Sequence, residues 1–77
     1  MNESEYRTAI GSAKLMADVE PEMAEYWRGY RRGVMRGYHG DKFGTQEDHE
    51  MWMNCARCGH REDLQAGYRT GYSTGGT

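Results

Sequence analysis

Two groups of residues in this chain have the types and spacing to do chemistry. The first is Cys55 and Cys58, with Gly59 directly after the second and His60 beyond it. Two thiolates at that spacing, followed by a glycine that lets backbone amides turn toward sulfur, form half of a zinc knuckle, and a structural zinc needs four ligands. The sequence holds no second cysteine pair. Cys55, Cys58 and His60 would need His39, His49 or a second chain to complete the shell. The plainer use of both cysteines is as small residues one turn apart at the end of a helix. A redox role is disfavoured there, because it is a helix N-terminus that lowers a thiol pKa.

The second group is basic. Arg28, Arg32 and Arg36 recur every four residues, so a helix would set them along one face, pointing to solvent. Glu25 is placed to pair with Arg28, while Arg32 and Arg36 have no acid at helix-neighbour spacing. Each unrelieved like-charge pair costs about 0.3 kcal/mol. Acids in the segment 46–50 would relieve it, and so would an anionic partner. Tyr38, His39, Lys42 and Phe43 follow directly and extend the face as a loop. The expected partner-binding surface is therefore Arg28, Arg32, Arg36, Tyr38, His39, Lys42 and Phe43. A host protein or nucleoprotein complex fits it, and the arginine row would also suit RNA or DNA.

No grouping supports catalysis. Ser4, Ser12 and Ser73 have no motif around them. Asp48, His49 and Glu50 fall in a first helical turn, where acids stabilise the helix dipole. The run from Gly40 to Gly44 lacks the Gly-Lys-Ser/Thr ending of a phosphate loop. A non-enzymatic protein is expected, with zinc as the one cofactor option.

The elements that must position these residues read as helices. Tyr6, Ile10, Ala13, Met16 and Ala17 recur at helical spacing and predict a first helix over 3–17, with Asn2 and Glu5 as a capping box. Met23, Trp27, Tyr30, Val34 and Tyr38 predict a second over 21–38, with Pro21 in its first turn and Asp18 or Glu20 as its cap. Gly37, Gly40 and Gly44 should then break it. Thr45 and Asp48 predict the cap of a third helix, with Met51, Trp52, Cys55 and Ala56 inward and Gly59 as terminator. Leu64, Tyr68 and Tyr72 predict a fourth over 62–72. Residues 73–77, all Ser, Thr or Gly, read as a disordered tail to a single domain over 1–72.

The 11 glycines are unusual in a helical chain, since glycine is a poor helix former. Gly29, Gly33 and Gly37 stand four apart, as do Gly67 and Gly71, so each set stays near one helix face. Such a strip admits another backbone closely. Its ordinary use is packing within the chain, the second helix on the fourth or first; the alternative is a homodimer seam. The motif Gly-Tyr-Arg-x-Gly occurs at 29–33 and again at 67–71, which suggests two helices that meet in similar ways.

Composition agrees with a small all-α bundle of three to four helices. Its 77 residues suit one domain with a limited core, and β-branched residues are scarce. Trp27, Tyr30, Val34, Trp52, Leu64 and Tyr68 are the expected core. The formal charge of −2 gives no global pull toward nucleic acid. No apolar run approaches the roughly 18 residues of a membrane span, and the acidic start is not a signal peptide. A cytoplasmic location is expected.

The Gly-Tyr-Arg-x-Gly helix, with Gly37, a following Trp and a second Gly-aromatic helix, resembles the ribosome modulation factor family and its phage and plasmid relatives, over about Trp27 to Tyr72. The family's Cys-Pro-Tyr and Trp-x-x-Gly-Trp elements have no counterpart here. The resemblance implies a small helical protein that binds ribosomes or RNA. Small size, the absence of a catalytic grouping and the basic row point first to a non-catalytic binding protein, of the kind by which phages and mobile elements inhibit a host macromolecular complex sterically, with the RNA- or ribosome-binding factor and the small zinc module as the alternatives.

Overall fold

In the computed structural model, which describes residues 1–54 and 62–76, four α-helices form a small bundle: α1 (Glu3–Val19), α2 (Ala24–His39), α3 (Gln46–Asn54) and α4 (Glu62–Gly75). The all-α expectation holds. None of these helices is long and apolar enough to cross a membrane.

Local chemistry explains most of the boundaries. Asn2 Oδ1 accepts the Glu5 amide at 2.8 Å and starts α1, and Thr45 Oγ1 accepts the Asp48 amide at 3.1 Å and starts α3, each satisfying one of the orphaned amides of a first turn. The expected cap of the second helix is not made. Neither Asp18 nor Glu20 bonds its amides; a single 3-10 turn, Pro21–Met23, leads into α2 instead. Proline fixes φ for that tight turn, so the entry needs no side-chain acceptor. At the other end Gly40 and Gly44, with φ of 63° and 73°, bend the chain away through a left-handed region that other residues rarely enter.

α2 and α4 make the seam of the molecule. A Cβ added to Gly29 would lie 1.9 Å from the Leu64 carbonyl oxygen, one on Gly33 2.1 Å from that of Tyr68, and one on Gly37 2.6 Å from that of Tyr72. Residue numbers rise together on both sides, so the two helices run parallel. The contact is reciprocal. A Cβ added to Gly67 would lie 1.9 Å from the Tyr26 carbonyl oxygen, one on Gly71 2.0 Å from that of Tyr30, and one on Gly75 2.6 Å from that of Val34. Every glycine in one helix thus has a counterpart in the other at a constant offset, and the duplicated Gly-Tyr-Arg-x-Gly motif is the sequence trace of a pseudo-two-fold relation between α2 and α4. Six glycines bring backbone onto backbone, the arrangement in which Cα–H groups face carbonyl oxygens. The strip is therefore used within the chain, in the packing of α2 on α4.

The seam corrects two expectations. Residues 73–75 are helical, not a disordered tail: Gly75 packs against Val34, and Thr74 Oγ1 donates to the Thr70 carbonyl at 3.0 Å. Of the expected core, Val34, Leu64 and Tyr68 are buried, together with Ala13, while Trp27, Tyr30 and Trp52 are half-buried. Glycine backbone occupies the centre, so the large rings lap over its margins. Tyr26, Trp27 and Tyr30 meet edge to face.

The outer helices each fold back on one member of the pair. Tyr6 near the start of α1 stacks on Tyr38 near the end of α2, centroids 4.3 Å apart, so α1 is antiparallel to α2. On the other side His49 and Trp52 of α3 pack on Tyr68 and Tyr72 of α4. The Met53 carbonyl accepts from Gln65 at 3.2 Å and from the Arg69 guanidinium, so α3 is antiparallel to α4. Met51, expected to face inward, is 55% exposed.

Candidate functional site: an arginine-lined cleft

The α2 positions 28, 31, 32 and 35 form one helix face, at intervals of three and four. They line a cleft of about 520 Å³ between α2, the Phe43 segment, α3 and the start of α4. Arg28, Arg31, Arg32 and Glu25 supply its charge; Met35, Phe43, Trp52 and Leu64 supply its apolar wall.

Arg32 joins the two. Its guanidinium carbon lies 5.0 Å from the Trp52 ring centroid and 5.4 Å from that of Phe43, within the range of a cation–π contact. Trp52 is in turn stacked on Tyr68 at 5.3 Å. Arg32 is thereby held in place by aromatic packing. Arg28 is exposed, with Glu25 Oε1 at 3.7 Å, a loose pair of the kind that contributes little to stability. Among the described residues Glu25 is the one carboxylate lining the cleft, against three guanidinium groups.

Arg36 does not belong to this face. Its expected place was on the solvent-facing row with Arg28 and Arg32, but it is only 4% exposed. Its guanidinium donates to the Phe43 carbonyl at 2.9 Å and to Gln46 Oε1 at 3.0 Å. It works as a buried clamp that holds the turn after α2 against the helix, and so sets the position of the Phe43 wall. Replacing the expected row, the cleft adds Arg31, Met35, Trp52 and Leu64. The signal for Arg31 was present in the sequence: 28, 31, 32, 35 follows the helical repeat, whereas a strict interval of four drifts off it.

The rest of the expected surface is divided. Phe43 is half-buried in the cleft wall and Lys42 is exposed. Tyr38 and His39 belong to another side: Tyr38 is stacked under Tyr6, and His39 Nε2 lies 3.2 Å from the Tyr6 hydroxyl. The structure thus brings Arg28, Arg32 and Phe43 together and leaves Arg36, Tyr38 and His39 out. Cys55, Cys58 and His60 lie outside the described residues. Among those described, no three His, Cys, Asp or Glu side chains gather to hold a metal.

Behind the cleft, His49 Nδ1 and the Tyr68 hydroxyl are 2.8 Å apart. Burial, reinforced by the nearby Arg36 charge, holds the His49 imidazole below its ordinary pKa, with Glu50 opposing. Burial also pushes the Tyr68 phenol up, with the Arg36 and Arg32 charges opposing. Both groups favour their neutral forms, as suits a hydrogen bond that docks α3 on α4. The pair is structural, a step removed from the open cleft.

Comparison with protein-family models, curated proteins and solved structures gives no match.

Proposed function

We propose that this chain is a non-catalytic binding protein that docks an anionic partner in the Arg28, Arg31 and Arg32 cleft and acts by covering that partner's surface. The observation that carries the reading is the convergence of three guanidinium groups, opposed by one carboxylate, on a concave and aromatic-walled face of an otherwise acidic chain. Like charges gathered on one helix face cost stability, and of the three only Arg32 is tied into the fold, through Phe43 and Trp52; Arg28 has no more than a loose pair with Glu25. A bound anion offsets that cost through charge-assisted hydrogen bonds, which guanidinium forms with two-point geometry. A cleft walled by Trp, Phe and Met with Arg at its edge also has the composition typical of the energetically important centre of a protein interface. Steric inhibition of a larger complex is the mode such a small, rigid and catalytically bare body suits.

The test follows the arginine side-chain NH resonances by NMR during titration with tripolyphosphate, a compact polyanion. Arg28, Arg31 and Arg32 should shift together and saturate, while buried Arg36 and remote Arg7, paired with Glu3 at 2.8 Å, stay in place. Equal shifts at Arg7 and the cleft arginines would mean unselective charge screening and would remove the site.

A further inference from the structure

We infer that the occupant of the cleft is a carboxylate-bearing polypeptide segment with an apolar side chain beside its acids. The inference rests on the anionic-partner reading above and narrows it to one class of macromolecule.

The state of the aromatic rings decides against single-stranded nucleic acid. Proteins that grip single strands offer open aromatic faces on which bases stack. Here Trp52 carries the Arg32 guanidinium over its ring and the Tyr68 ring stacked against it, and Phe43 carries the same guanidinium. The Trp52 ring and the Arg32-facing side of Phe43 are already engaged by the fold, and a base would have to displace Arg32 to stack there. A duplex would need an extended basic face to collect several phosphates. Burial of Arg36 shortens the row that might have supplied one, and the chain's net charge is −2.

What remains open is a set of guanidinium donors beside an apolar patch. Arg28 is exposed and Arg31 half-buried, and half-buried Met35 lines the same hollow over the buried Leu64. Asp or Glu side chains meet the first pair, and a neighbouring Leu, Met or Phe meets the second.

The pseudo-repeat supplies an internal control. Gly29, Tyr30 and Gly33 have identical counterparts in Gly67, Tyr68 and Gly71, so those types belong to the shared seam. Arg28 and Arg32 correspond to Ala66 and Thr70, and Arg69 is spent on the Met53 carbonyl. A helix can therefore build this seam without arginines at the two equivalent positions. Among the described residues, it is the α2 copy that carries the arginine cluster, and that copy lines the cleft.

The experiment is calorimetric titration of the whole chain, at physiological salt, with three probes. They are a short capped peptide of Glu, Asp and Leu, the same peptide with Gln and Asn in place of its acids, and an oligothymidylate of equal length. The variant is R28Q/R31Q, with Arg32 left in place because it packs on Phe43 and Trp52. Circular dichroism and thermal melting check that the variant folds. The acidic peptide should bind saturably, the variant should bind it at least about tenfold more weakly, and the other two probes should bind at least about tenfold more weakly than the acidic peptide. Oligothymidylate binding as tightly as the acidic peptide, and losing affinity in the variant, overturns the polypeptide assignment but keeps the anionic cleft. Equal binding of acidic and amide peptides overturns the carboxylate assignment. No binding of any probe, or binding unchanged in the variant, overturns both this inference and the function it rests on.

Discussion

Arg28, Arg32 and Arg36 share a spacing and end in three environments. Each step of four residues turns about 40° around the helix axis, so Arg36 sits about 80° from Arg28 and passes beneath the turn after α2. Arg28 and Arg32 were legible as surface cations from their spacing. The fate of Arg36 was not, because it depends on where the Gly40–Thr45 segment crosses, which no local pattern encodes. The difference is measurable. Arg36→Met should lower the unfolding free energy by about 3 kcal/mol, since it strips a charged donor from the Phe43 carbonyl and Gln46. Arg28→Gln should change it by no more than about 0.5 kcal/mol, because its pair with Glu25 is long and solvated. Urea denaturation reads both. His49 gives a second prediction. Its pKa in the fold lies below the ordinary 6.5, so the unfolded chain takes up a proton more readily than the folded one. Its contribution to stability is complete above 6.5 and is lost as pH falls from there through the lower folded value. Urea midpoints across that window should decline in the native chain, and the decline should be smaller in His49→Gln.

At the scale of elements, the glycines decide the packing. Their spacing made a close helix contact legible, and Asn2 and Thr45 fixed two helix starts by the hydrogen bonds they make. The continuation of α4 through Gly75 was not legible. A Ser, Thr and Gly run has poor helix propensity, and tertiary contact with Val34 and Tyr38 overrides it. On α3, Trp52 packs on Tyr68 as its spacing implies, but Met51 is exposed, because the docking also depends on His49 reaching Tyr68, a polar contact that hydrophobic periodicity does not register. The seam predicts opposite signs for one substitution type. Gly33→Ala and Gly71→Ala each drive a Cβ to about 2 Å from a backbone carbonyl, at 2.1 and 2.0 Å. Each should cost on the order of 3 kcal/mol, and the two should be alike because their surroundings are. Gly11→Ala meets nothing within 4 Å, and should stabilise α1 by about 0.5–1 kcal/mol. Thermal denaturation of the three variants side by side distinguishes a close seam from a loose one. Losses at Gly33 and Gly71 no larger than the change at Gly11 would argue for the loose one.

For the molecule as a whole, the duplicated motif announced that two helices meet alike, but five residues cannot tell parallel from antiparallel. The structure makes the pair parallel, and that choice places everything else. Parallel helices need a crossover, and the chain between α2 and α4 is that crossover, delivering Phe43 and Trp52 to the same side as Arg28, Arg31 and Arg32. An antiparallel pair in any register would dissolve the cleft and, with it, the proposed partner. The most direct test is therefore a through-space proton experiment by NMR on the folded chain. A Cβ position on Gly33 lies 2.7 Å from the Tyr72 amide nitrogen, and one on Gly71 lies 2.9 Å from that of Val34. Strong cross-peaks should link Gly33 Hα to the Tyr72 amide proton and Gly71 Hα to the Val34 amide proton. Their absence, with Gly33 Hα instead seeing residues in a descending register along α4, would contradict the parallel seam and the binding cleft built upon it.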